Sequence, residues 1–244
     1  MRPAVSSQVF DIHGRLVTTL HSDQNRLPID INKVPQHLQN AFIAAEDNRF
    51  YDHIGIDPIG IGRAIVTNIT SGGIAQGGST ITQQLAKNAF LSQEQTLKRK
   101  IQEAMLALEI ERKYSKKEIL EMYMNQIYFG QGAYGIQTAS RTYFDKDVDQ
   151  LNLKQCAMLA GLPKSPNYYS PFNNLEEAKK RTNTVLDQMV KYGYISQDEC
   201  TEAKNADLEL TQMKQTNDNA DTASFVDYVS QLVASKYGDD ALYK

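Results

Sequence analysis

The chain has 244 residues, 41% of them hydrophobic and 23% charged, with a formal net charge of -3. That length suits one large domain, or a domain with an appendage, and the apolar share can fill a sizeable core. Near-balanced charge excludes a bulk nucleic-acid binder, so any anionic ligand has to be held by a local group of cations. No apolar run approaches the ~18 residues that a membrane-crossing helix needs. Met1-Arg2-Pro3 leads into polar, strand-like sequence rather than a signal peptide. Cys156 and Cys200 are too few for a metal site. Cys156 lies in Cys156-Ala157-Met158-Leu159-Ala160, the setting of a buried, inert thiol rather than a disulfide.

Residues 8–20 are strand-like around His13-Gly14, a hairpin signal. Pro28 and Pro35 bracket a short linker, and from residue 36 the pattern turns helical. The spacing predicts a helix over 36–49 with Leu38, Phe42 and Ala45 on its apolar stripe. A second apolar segment, 58–70, ends in Ser71-Gly72-Gly73-Ile74-Ala75-Gln76-Gly77-Gly78, which reads as a mobile loop. Thr80 with Gln83 makes a capping box for the next helix. Residues 96–112 gather Leu97, Ile101, Met105 and Leu108 on one face, and Ser115 with Glu118 caps a helix running to about 128. Further helices are expected near 133–144, 151–161 and 175–192, with a short one opened by Ser196 and Glu199. Residues 211–222 read as a linker. Phe225, Val229, Leu232 and Val233 then form a stripe with little chain left to pack against. The organisation is thus mainly α: a β-hairpin leader over 1–34, a helical domain over 35–212, and a linker with the start of a missing further region over 213–244.

Four blocks carry chemistry. In Glu46-Asp47-Asn48-Arg49-Phe50-Tyr51-Asp52-His53-Ile54-Gly55, Glu46 continues the edge of an apolar helical stripe. Desolvation there raises a carboxyl pKa, which suits a general base. Alone, it reads better as a surface acid. In Gly77-Gly78-Ser79-Thr80-Ile81-Thr82-Gln83-Gln84-Leu85-Ala86-Lys87-Asn88, glycines feed a helix N-terminus, whose free N–H groups and dipole attract anions, with Lys87 one to two turns further in. A well-capped helix after a plain loop fits that stretch equally well. In Lys98-Arg99-Lys100-Ile101-Gln102-Glu103, Arg99 and Glu103 lie four apart on one face that continues as Leu106, Ala107 and Ile110. Lys117-Glu118-Ile119-Leu120-Glu121-Met122-Tyr123-Met124-Asn125, read bare, is an amphipathic helix and nothing more.

Together, in this order and at comparable spacing, the four blocks resemble the four motifs of the family-51 glycosyltransferases. These form the polymerase module of bifunctional penicillin-binding proteins and of monofunctional peptidoglycan polymerases, and the resemblance covers roughly residues 8–210. It implies a lysozyme-like helical fold and a lipid II donor carrying undecaprenyl pyrophosphate. It casts Glu46 as the base that takes a proton from the acceptor 4-hydroxyl. It also puts Glu103 on the donor side with Arg99 and Lys87, and Ser79, Gln83 and Gln84 in the donor pocket. Arg63 and Asn125 join the substrate-binding residues on the same ground. Two positions depart from the pattern: Thr182 follows Arg181 where a second arginine is usual, and Gln95 stands where many members carry an arginine.

The implied partners are lipid II, the growing glycan strand, moenomycin-type phosphoglycolipids and the outer face of the bacterial cytoplasmic membrane. The last is expected to be met through an apolar lip over 54–74. No nucleic acid is expected. No cofactor is required, and any Mg2+ or Mn2+ would be held largely by the substrate pyrophosphate. No Ser-x-x-Lys and no Lys-Thr-Gly are present, so acylation by β-lactams is not expected. Two other readings stay open. A lysozyme-type glycan-cleaving enzyme would not need residues 78–87 and Arg99 as a pyrophosphate site, and a wall-binding module would leave Glu46 and Glu103 without a role.

Overall fold

The structure, a computed structural model, describes residues 7–10, 16–20, 25–70, 78–90 and 96–211. The expected turn at His13-Gly14, the loop over 71–77, Gln95, and the linker and stripe beyond 211 lie outside the described residues. Strand β1 (Ser7–Phe10) pairs antiparallel with β2 (Leu16–Leu20). A two-residue β3 (Asn25–Arg26) pairs in parallel with β4 (Ala133–Tyr134), a contact across more than a hundred residues that no local pattern announces.

The rest is mainly helical. Helix α1 (Gln36–Glu46) buries Leu38, Phe42 and Ile43 completely. Its predicted extension to residue 49 does not occur. Asp47 turns to φ -157°, and its carboxylate accepts hydrogen bonds from the Ile81 amide at 3.0 Å and from His53 at 2.8 Å. Distant partners for a buried carboxylate outweigh another half-turn of helix, because an unpaired buried acid is expensive. Helix α2 (Pro58–Thr70) follows, then α3 (Ile81–Phe90), α4 (Leu97–Lys113) and α5 (Lys116–Gln126). Helix α6 (Ile136–Phe144) starts three residues later than the periodicity suggests. The preceding pair belongs to β4, and Gly135, at φ 81°, brings its backbone so close to α5 that a Cβ would lie 2.8 Å from the Asn125 carbonyl oxygen. Helices α7 (Leu153–Gly161), α8 (Pro166–Tyr169), α9 (Leu175–Lys191) and α10 (Gln197–Asn205) complete the domain.

The core lies where α7, buried from Lys154 to Gly161, packs with α1 and α9, while α3 packs on α4 and α5. Phe42 joins the two halves, with its ring edge-on to Tyr123 at 6.1 Å and to Phe129 at 6.0 Å. Packing crosses the 34/35 boundary: Ile31 and Val34 are core residues, and the Ile29 and Ile31 amides donate to Asn125 and Glu121 of α5. Cys156 and Cys200 are both buried free thiols. Of the two faces read on α4, the one headed by Glu103 is the buried one. Leu97, Ile101 and Met105 do line one side of α4, but they are 86%, 63% and 64% exposed, and the helix buries Glu103, Ala107 and Ile110 instead.

Candidate active site

The end of α1 and the start of α3 are tied together by Asp47. Gly55 N donates to His53 Nδ1, so the proton of a neutral His53 sits on Nε2 and is given to Asp47. The same Asp47 oxygen receives the Ile81 amide, while the Thr80 amide is received by Gln83 Oε1 and the Gln83 amide by Thr80 Oγ1. The capping box expected from Thr80 and Gln83 is therefore formed. The amides of Thr80, Ile81 and Gln83 are thereby satisfied within the protein, as the capped-helix alternative for this stretch requires. Gln83, 3% exposed, is a capping residue here.

With its helix ending at this point, Glu46 has one carboxylate oxygen held by a hydrogen bond and the other without one among the described residues. Gln84 Nε2 donates to Oε2 at 2.9 Å, and Tyr123 Oη donates in turn to Gln84 Oε1 at 3.1 Å. On the other side Arg181 of α9 brings a guanidinium nitrogen to 3.9 Å from Oε1, with both side chains about nine-tenths buried. Burial holds the Glu46 carboxyl above its ordinary pKa, against the lowering influence of Gln84, Arg181 and Lys164. Glu46, Asn48, Asp57, Arg63 and Ser79 line a common cavity of about 30 Å³ beside Gly60 and Gly78. Arg63 donates to Asn48 at 3.2 Å, and Asp57 Oδ1 is buried in that wall without a hydrogen-bond partner.

Ser79 connects this cavity to the second acid. Lys100 Nζ donates to Ser79 Oγ at 2.8 Å and to Glu103 Oε1 at 2.5 Å, and Glu103 is only 2% exposed. Glu103 is thus held by Lys100, three residues away, where the spacing had suggested Arg99; the Arg99 amide donates to the Thr96 cap of α4. Lys87 lies on α3, one turn beyond Gln83 and Gln84, half-buried. Asn125 stands apart in role. Its carboxamide clamps the backbone of Ile29, accepting from N–H at 2.9 Å and donating to C=O at 2.8 Å, with one lone pair and one N–H beyond those two bonds.

Lys100, Arg181, Tyr123 and Asp57 belong to the site and were not singled out from the chain. Arg181 had a signal, the partly kept fifth motif. The structure explains its altered neighbour, because Thr182 points into the core and gives its hydroxyl to the Ala178 carbonyl, leaving Arg181 alone to face Glu46. Among the described residues no group of three or more His, Cys, Asp or Glu has a metal-holding arrangement.

Most of the chain is similar to known proteins. The profile of a family described as Transglycosylase matches residues 13–190. Penicillin-binding protein 1A of Aquifex aeolicus is 48% identical over 98% of this chain and 32% of its own length. Penicillin-binding protein 1F of Bacillus subtilis is 45% identical over 95% of this chain and 32% of its own. Penicillin-binding protein 1A of Escherichia coli is 42% identical over 99% and 28%. The chain thus spans about a third of the length of the curated relatives it matches. The crystal structure of penicillin-binding protein 1A from Haemophilus influenzae superposes with a TM-score of 0.59 at 22% identity, over 100% of this chain and 26% of that one, a likeness of fold. Matched over most of its length by that profile, the chain belongs to the transglycosylase family, as an enzyme domain of the kind these penicillin-binding proteins contain.

Proposed function

We propose that this domain polymerises lipid II into β-1,4-linked glycan strands on a lysozyme-like helical scaffold. The observation that carries the reading is the setting of Glu46: a carboxyl buried enough to raise its pKa, oriented by Gln84 on one oxygen, facing Arg181 with the other, and lining a cavity with Arg63 and Ser79. In the proposed step the oxygen that faces Arg181 takes the proton of the acceptor 4-hydroxyl. The hydroxyl oxygen attacks C1 of the donor, the C1–pyrophosphate bond breaks, and undecaprenyl pyrophosphate leaves with inversion. Negative charge grows on the leaving group, where preorganised cations are most effective. Because the start of α3 is already capped, that duty falls on side chains: Lys100 beside Glu103 and Ser79, with Lys87, Arg63 and Arg99. Any Mg2+ or Mn2+ would arrive with the pyrophosphate.

Membrane contact is assigned to the exposed apolar side chains Ile54, Ile59 and Ile61, joined by the Leu97–Ile101–Met105 stripe of α4 next to the basic run Lys98-Arg99-Lys100. Apolar groups beside cations suit an anionic bilayer surface, at the outer face of the cytoplasmic membrane. Among the described residues no helix is long and apolar enough to cross a membrane.

The test is purified Glu46→Gln with lipid II, following released undecaprenyl pyrophosphate and glycan products. A general base contributes about 100- to 10,000-fold in rate, so a loss of at least a hundredfold is expected. Polymerisation within tenfold of the parent refutes Glu46 as the base. Glycan shortening without pyrophosphate release refutes the transferase reading in favour of a cleaving enzyme.

A further inference from the structure

Tyr123 lies on α5, fully buried, and its ring is fixed edge-on against Phe42 of α1. Its hydroxyl has one hydrogen-bond partner among the described residues, the Oε1 atom of Gln84. Gln84 uses the other end of the same carboxamide on Glu46 Oε2. A carboxamide can rotate by half a turn and exchange its oxygen for its nitrogen at little steric cost. What fixes it is the donor or acceptor at each end. Here the phenol supplies a proton at one end, so the oxygen of Gln84 stays there and its N–H groups stay on Glu46.

We infer that Tyr123 is a positioning residue for the transfer reaction: it locks the Gln84 carboxamide as a donor to Glu46 Oε2 and thereby leaves Glu46 Oε1 as the oxygen that receives the acceptor's proton. The inference rests on the reading of Glu46 as base. Oε2 is covered by an N–H group, whereas Oε1 has no hydrogen bond among the described residues and looks toward Arg181 at 3.9 Å. The groups that face Glu46 from its surroundings are Gln84 from α3, Tyr123 from α5, Arg181 from α9, Lys164 just before α8, and its own neighbour Asp47. Tyr123 cannot itself compete as a base. Burial, reinforced by the nearby Glu46 and Asp47 carboxylates, pushes its phenol well above the ordinary range, so it remains a donor throughout the working pH. Were the phenol proton absent, the carboxamide could turn its oxygen to Glu46. That arrangement favours the protonated acid and opposes the form that must act as base.

The experiment is Tyr123→Phe in the full chain, assayed for lipid II polymerisation across pH beside Glu46→Gln, Gln84→Ala and the double variant Tyr123→Phe/Gln84→Ala. Tyr123→Phe is expected to lower kcat by about 2- to 13-fold, the worth of one neutral hydrogen bond. KM should stay within twofold, and the acid limb of the kcat profile should move to higher pH. In the Gln84→Ala background the same substitution should have no further effect, since residues acting as one unit are non-additive. An unchanged rate and acid limb in Tyr123→Phe overturns the inference. So does an undiminished effect once Gln84 is gone. If Tyr123→Phe lowers the Tm, Gln84→Met keeps the volume and removes the amide; it must show the same displaced limb, and an unmoved limb there overturns the inference as well. Glu46→Gln separates the two layers. Activity in that variant sinks the base assignment, whereas an inactive Glu46→Gln beside a silent Tyr123→Phe sinks only the role of Tyr123.

Discussion

At Glu46 the protein places an ionisable carboxyl where burial disfavours its charged form, and stability should show this. The folded carboxyl has a raised pKa, so between the ordinary carboxylate value and the raised one the folded state binds more protons than the unfolded state. Stability therefore falls as pH climbs through that window, and the penalty persists above it. Glu46→Gln removes the penalty. It is expected to raise the Tm at neutral pH, at roughly 2–4 °C for each kcal/mol recovered in a domain of this size, with the gain vanishing below about pH 4. Thermal melts at both pH values check this; an equal gain at both, or none at either, contradicts a strained carboxylate. The acid's place at the edge of an apolar stripe was legible from the spacing of Leu38, Phe42 and Glu46. Its partners were not, because Gln84, Tyr123 and Arg181 come from three other helices.

Helix α4 shows how periodicity finds a face without saying which way it points. Leu97, Ile101 and Met105 fall on one side as their spacing requires, yet the opposite side, with Glu103, Ala107 and Ile110, is the buried one. The choice is made by tertiary contacts: Glu103 must reach Lys100 and, through it, Ser79, and Gly55, at φ 101°, presses so closely that a Cβ there would lie 2.8 Å from the Ala107 carbonyl oxygen. If the exposed side meets lipid, Ile101→Ser and Met105→Ser should each reduce co-sedimentation with anionic vesicles several-fold, and leave the Tm within about 1 °C, as for surface substitutions generally. A Tm lowered by several degrees with vesicle binding intact would show that the stripe is covered by protein instead. The caps on Ser115 and Ser196 were legible to the residue, since a capping box is a local interaction.

Across the whole domain, the segment before α1 is fastened to α5 and α6 by a ladder of backbone-to-side-chain bonds: Leu27 to Thr138, Ile29 to Asn125 and Ile31 to Glu121. This ladder accounts for Asn125, which family resemblance had placed among the substrate contacts. Asn125→Ala should lower the Tm by several degrees, because two part-buried backbone groups of Ile29 lose their partners, at about 1 kcal/mol each. It should leave the affinity for a moenomycin-type phosphoglycolipid within about twofold; a tenfold weaker inhibitor with an unchanged Tm would restore the substrate role. Helices and their caps were readable because they depend on neighbours three or four residues away, whereas the parallel pairing of β3 with β4 depends on residues more than a hundred apart. The bond from Asp47 to the Ile81 amide is of the second kind, and it reaches beyond local geometry. The residue whose amide ends α1 thus gives its carboxylate to the beginning of α3, so the first turn of α3 lacks that partner until the end of α1 has arrived. Formation of the two walls of the cleft is thereby coupled, since folding of one supplies a bond that the other needs.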